Sequence, residues 1–169
     1  VSSLRCLFRS RASLLPTNRR RQTDAAKKVE DVLRERNAYG VTFHQIEQHS
    51  PIAGIRSAIK IFEENGCDGI VSVGGGSCID AAKTLLYFYQ QDKGGRTPYQ
   101  IAIPTTLSAA EYQVSSKTSL LHSCSLCFQI GAGYTNEEGN KVAVSSHELV
   151  PGGIILDAEL TLGTPERLW

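Results

Sequence analysis

The segment VSVGGGSCIDAAK, Val71 to Lys83, carries three consecutive glycines between an apolar run and a helical pattern. At Gly74, Gly75 and Gly76 the main chain can approach a ligand with no Cβ in the way. The N–H groups that open a helix then face that ligand with partial positive charge. Such a turn suits a pyrophosphate. The spacing is neither G-x-G-x-x-G nor the P-loop with its Gly-Lys-Ser/Thr, so a plain tight turn stands as the alternative.

A second polar cluster follows in AIPTTLSAAE, Ala102 to Glu111, where an apolar stretch gives way to Thr105, Thr106 and Ser108. In a doubly wound sheet, ligands bind beyond the carboxyl ends of the strands, so this loop and the glycine turn can share one rim. Hydroxyls closing an ordinary turn are the alternative. A third cluster, His122, Cys124 and Cys127 in LLHSCSLCFQIGAGYTN, has the residue types of a zinc or redox site. Zinc needs a fourth ligand, and no second Cys or His pair at suitable spacing supplies it. A thioredoxin-like pair would open a helix after a strand, whereas QVSSKTSLL before it is polar and serine-rich.

The elements that must position these residues alternate. TDAAKKVEDVLRERN reads as an amphipathic helix through Ala26, Val29 and Leu33, and YGVTFHQIEQ as a short strand. PIAGIRSAIKIFEENG places Ile55, Ala58, Ile59 and Phe62 on one helical face and stops at Gly66. GIVSV is a strand, GGGSCIDAAKTLLYFYQ opens a helix, and YQIAIPTT and GGIILD are further strands. Near-continuous apolar strands alternating with helices predict a parallel sheet covered on both faces, an α/β, Rossmann-like doubly wound fold.

Taken together, GGGSCIDAAK, IPTTLSAAE and VPGGIILDAELTLGTPERLW resemble the iron-containing (group III) alcohol dehydrogenases, a family that includes glycerol dehydrogenase and maleylacetate reductase, over about Asp24 to Trp169. The resemblance implies the N-terminal, dinucleotide-binding domain of a metal-dependent, NAD(P)-linked dehydrogenase or carbonyl reductase. It assigns NAD or NADP contacts to Gly74, Gly75, Gly76, Ser77, Thr105, Thr106 and Ser108. It extends them to Asp80, for which a local structural role at the helix start is the alternative, and to Lys141, for which a solvated charge is. It places the divalent iron or zinc on an aspartate and histidines of a helical C-terminal domain missing from this chain. Asp157 matches a structural strand-end position, and none of His44, His49, His122 or His147 matches a ligand. No catalytic residue is assigned. The implied partner is a small-molecule alcohol or carbonyl compound, with a homodimer left open. Dehydroquinate synthase and glycerol-phosphate dehydrogenases share the architecture and are the rival reading within enzymes. A non-catalytic fragment from a mis-spliced or damaged gene is the rival outside them.

Composition bounds the rest. Among 169 residues, 18 basic side chains face 17 acidic ones, and the basic excess lies before Asp24, which argues against a nucleic-acid face. No apolar run approaches the roughly 20 residues that span a bilayer, so no membrane partner is expected. Five irregularly spaced cysteines point to a reducing compartment, the cytoplasm. The six arginines of residues 1–22 raise mitochondrial targeting as an alternative. The expected organisation is a basic extension over 1–22, disordered or non-native, and a dinucleotide-binding domain over 23–169 with a non-native insertion at 114–129. Only VSSL, at the very start, resembles the family's first strand, and the group that selects NAD over NADP at its end is not located. Removing Val114 to Gln129 joins AAEYQ to IGAGYTN as the family does, and the flanking codons allow an in-frame retained intron. Arg5 to Arg21 invites the same reading. A first residue Val1, no methionine and a helix-opening TPERLW at the end predict a longer protein.

Overall fold

Six consecutive buried residues, Gly69–Gly74, form the strand at the centre of the molecule. A strand buried on both faces must be covered on both, and its alternating side chains show how. Ile70 packs among Ile55, Phe62 and Leu85 on one face, while Val71 and Val73 pack with Ala25, Ala26 and Ile103 on the other. The computed structural model describes residues 12–16, 22–44, 46, 49–95, 97–112 and 130–162. In chain order the elements are β1 (Ala12–Pro16), α1 (Gln22–Glu35), β2 (Tyr39–Thr42), α2 (Ile52–Glu64), β3 (Gly69–Gly74), α3 (Gly76–Lys93), β4 (Tyr99–Pro104), β5 (Ile130–Thr135), β6 (Lys141–Ser146), β7 (Gly153–Ile154) and α4 (Ala158–Thr161). Short 3-10 turns stand at Ala110–Tyr112 and His147–Leu149.

Five strands form one parallel sheet in the order β2-β1-β3-β4-β7, and β5 pairs antiparallel with β6 as a separate hairpin. Helix α1 covers one face, α2 and α3 the other, which is the expected doubly wound α/β arrangement. Phe62 of α2 meets Tyr89 of α3 edge-on at 5.3 Å between ring centres and keeps the two helices side by side. The chain steps from β1 out to β2 and returns past β1 to β3. The topological switch point, where such sheets bind ligands, therefore lies between the carboxyl ends of β1 and β3.

Of the expected extension over residues 1–22, the described part belongs to the fold. Ala12–Pro16 is an internal strand paired parallel with both β2 and β3, and α1 already begins at Gln22. Among the described residues the first strand is ASLLP, and VSSL lies outside them. Two other expected strands are shorter than their apolar runs. β2 ends at Thr42, although Phe43 and Ile46 beyond it are still buried, and β7 holds only Gly153 and Ile154, with Ile155 and Leu156 exposed. The expected insertion at 114–129, including His122, Cys124 and Cys127, and the expected helix start in TPERLW lie outside the described residues. Among those residues no helix is long and apolar enough to cross a membrane.

Candidate functional site

The glycine turn forms because β3 ends at Gly74 and the chain enters α3 within two residues. Gly75 stands at the N-cap with extended backbone, and its carbonyl accepts from the N–H groups of Cys78 and Ile79 at 3.0 and 3.3 Å. The N–H groups ahead of those two have no acceptor inside the helix, as at any helix start, and the positive end of an 18-residue helix dipole lies there. No side chain caps this end.

Register between β3 and β4 brings the second cluster to the same rim. Gly74 pairs with Pro104, and the Thr105 N–H donates to the Gly74 carbonyl at 2.9 Å. The loop then folds over the glycines. A methyl group on Gly75 would come within 3.1 Å of Thr106 Oγ1, and one on Gly76 within 3.2 Å of Ser108 Oγ. Both distances are tighter than ordinary contact, so glycine is what lets this loop close onto the helix start. Thr106 is half-buried and Ser108 exposed, whereas Thr105 is buried and joins the rim through its main chain.

Ser77 and Asp80 line a cleft of about 120 Å³ beside the turn, together with His49, Ser50, Tyr134 and Lys141. The expected residues thus fall into two adjoining groups: Gly74 to Gly76 with Thr105 to Ser108, and Ser77 with Asp80 in the cleft. Lys141, on β6, reaches the cleft because the β5–β6 hairpin packs against α3. The segment at His49–Ser50 has no counterpart in the expected site. Both residues hold left-handed backbone, φ 68° and 51°, a strained state for side chains of this kind. Bonds hold them there: His49 N–H donates to Ser77 Oγ at 3.2 Å, Ser50 Oγ to the Ser77 carbonyl at 2.7 Å, and Thr135 Oγ1 to the His49 carbonyl at 2.9 Å. The bond from His49 uses Ser77 as an acceptor and leaves its hydroxyl proton to donate.

Electrostatics at the site are set by burial. The Asp80 carboxyl is pushed up to about 6 by burial, with the nearby Lys83 ammonium and the Gly133 main-chain bond working against that rise. Its Oδ1 is buried without a protein partner. Cys78, next to the turn, is fully buried and its thiol is pushed up to about 12, so it offers no thiolate nucleophile at neutral pH. Asp157 caps α4 by accepting from the Glu159 N–H at 2.9 Å, a structural role.

The observations fit a pyrophosphate: a cradle that a Cβ would fill, a helix start with free donors, and hydroxyls beside both. They do not supply the expected metal. Among the described residues no group of three or more His, Cys, Asp or Glu side chains could hold an ion. A family model described as iron-containing alcohol dehydrogenase matches residues 4–158. The chain belongs to that family. This alcohol dehydrogenase-family chain is 30% identical to a 4-hydroxybutyrate dehydrogenase of Cupriavidus necator over 132 residues, 75% of this chain and 33% of that protein. The crystal structure of maleylacetate reductase from Rhizobium sp. strain MTP-10005 superposes with a TM-score of 0.71 at 26% identity, covering 96% of this chain and 38% of that one. Sulfoacetaldehyde reductase from Bifidobacterium kashiwanohense, solved in complex with NAD+, shares the fold at a TM-score of 0.70 and 20% identity, over 95% of this chain and 42% of that one. The chain thus spans about a third of the length of the curated relatives it matches.

Proposed function

We propose that this chain is the dinucleotide-binding part of an NAD(P)-linked dehydrogenase or reductase acting on a small alcohol or carbonyl compound. The closure of the Thr106 and Ser108 hydroxyls over Gly75 and Gly76, at the open end of α3, carries the reading. The main-chain N–H groups of Gly76 and Ser77 would hold the pyrophosphate, with the Ser77, Thr106 and Ser108 hydroxyls donating beside it. Asp80 Oδ1, buried without a partner in the cleft wall, would accept a hydroxyl or amide proton from the cofactor. A bound nicotinamide supplies the hydride acceptor or donor that interconverts alcohol and carbonyl. The relatives, a 4-hydroxybutyrate dehydrogenase and a maleylacetate reductase among them, support an alcohol or carbonyl substrate. A divalent iron or zinc enters no step here, because the described residues do not bring its ligands together.

Fluorescence titration with NADH and NADPH tests the reading. The wild-type chain is expected to bind at least one of them. Gly76→Val, whose Cβ would meet Ser108, is expected to weaken binding by roughly a hundredfold at nearly unchanged fold stability, because the loop can no longer close on the turn. A wild-type chain that binds neither nucleotide overturns the reading.

A further inference from the structure

Lys83 stands two turns into α3, directly behind the glycine turn, and is fully buried. Its ammonium donates to the carbonyl of Ala110 at 2.5 Å and to that of Gly131 at 3.3 Å. Ala110 follows the loop that bears Thr106 and Ser108, and its side chain also sits 3.6 Å from where a Cβ on Gly76 would be. Gly131 opens the hairpin that brings Tyr134 and Lys141 to the cleft. One side chain therefore fastens both flanking segments to the helix that carries the turn.

The charged groups facing Lys83 are Asp80, one turn back on its own helix, and Glu111 from the 3-10 turn. The hairpin presents main-chain oxygen to it at Gly131. Asp80 in turn bonds to the Gly133 main chain, so α3 grips β5 at two alternate residues. Burying an ammonium is costly unless it is paired and hydrogen-bonded, and a methionine would fill similar space without that cost. A methionine would not hold the Ala110 and Gly131 carbonyls.

We propose that Lys83 is a positioning residue for dinucleotide binding, holding the Thr106–Ser108 loop over Gly75 and Gly76 and the β5–β6 hairpin against the cleft. The role rests on the dinucleotide reading and adds to it a residue that does not touch the cofactor. It predicts an unusual pair of opposite pH effects. Burial pushes the Lys83 amine down to about 8, with Asp80 and Glu111 opposing the fall. As pH rises through about 8 the ammonium loses its proton, and its charge-assisted bonds become weaker neutral ones, so NADH affinity falls. Fold stability moves the other way. Between about 8 and the ordinary 10.5 the unfolded chain binds more protons than the folded one, so stability rises with pH. A lysine that merely supported the fold would make affinity follow stability.

The experiment measures NADH affinity by fluorescence and stability by urea denaturation for the wild type and Lys83→Met, at pH 7 and pH 9.5. Amide exchange is followed at both pH values. The wild type is expected to lose several-fold in affinity across this range while gaining stability. Lys83→Met is expected to bind roughly tenfold more weakly at pH 7, with little pH dependence, and to exchange faster at Thr106 to Ala110 and at Gly131 to Gly133. A folded Lys83→Met that binds NADH as tightly as the wild type overturns the positioning role. Should that variant fail to fold, the wild-type pH series decides alone, and affinity that holds or rises with pH overturns the role. The series uses NADPH should the wild type bind that nucleotide and not NADH, and a wild type that binds neither at either pH is a different outcome: it overturns the dinucleotide reading and the role resting on it.

Discussion

Asp80 is the residue at which burial and charge conflict most openly. Its carboxyl titrates near 6 in the folded chain against an ordinary 3.8, so the folded state binds more protons than the unfolded one between those values. Stability owed to this group therefore falls as pH rises from about 4 to about 6, and the full cost stands at neutral pH. Asp80→Asn keeps the shape and removes the charge, while Glu111 remains to face Lys83. The variant is expected to be more stable than the wild type at pH 7 by on the order of 1–2 kcal/mol and equal to it at pH 4, with urea denaturation as the measurement. Weaker NADH binding in the same variant would show the conflict to serve the ligand. Gly74, Gly75, Gly76, Thr106 and Ser108 were legible in the sequence because an uninterrupted glycine run and a hydroxyl run each announce their backbone chemistry locally. Lys83 and Glu111 were not. A lysine seven residues into a helix reads as solvated, and what makes this one interior is a carbonyl 27 residues away and another 48 away.

At the scale of elements, the strands with long apolar runs, β3 and β4, could be read directly, whereas β1 and the β5–β6 hairpin could not. Ala12–Pro16 lies among arginines, and its central place follows only from pairing with β2 on one side and β3 on the other. The hairpin contains Gly131 and Gly133 in its first strand, which weakens any local strand signal. Its turn does carry one, Asn136 accepting from the Glu138 and Asn140 N–H groups and Gly139 in left-handed backbone. The missed hairpin matters for the site, since Gly131, Gly133, Tyr134 and Lys141 all come from it. It also bears on the expected insertion at 114–129. Ala110 and Gly131 are held side by side by one ammonium, so the chain between them begins and ends at nearly the same point. Joining Gln113 to Ile130 by deleting Val114 to Gln129 then spans a short gap and lowers the cost of closing that loop by about 1 kcal/mol. The deletion variant is expected to fold with an unchanged or higher Tm and to keep NADH binding. A variant that does not fold would make the segment part of the domain.

For the molecule as a whole, the question is which ligand the described fold can recognise without help. A parallel sheet with order β2-β1-β3-β4-β7 places the β3 turn beside its switch point, and the loop after β4 closes onto that turn through the Thr105–Gly74 bond. Every feature proposed to hold a dinucleotide therefore lies in one covered sheet and its hairpin. Metal ligation is different, because three or more donors must converge and the described residues offer no such group. Ligand linkage separates the two. A ligand that binds only the folded state, present at a hundred times its Kd, adds about 2.7 kcal/mol to stability. Thermal unfolding with NADH at saturating concentration is accordingly expected to raise Tm by several degrees, and Zn2+ or Fe2+ alone to leave it unchanged. A zinc-dependent rise that vanishes in Cys124→Ser and Cys127→Ser would instead assign the metal to the His122, Cys124 and Cys127 cluster. A rise with NADH that vanishes in Gly76→Val but survives both cysteine changes would place the chain's ligand at the glycine turn.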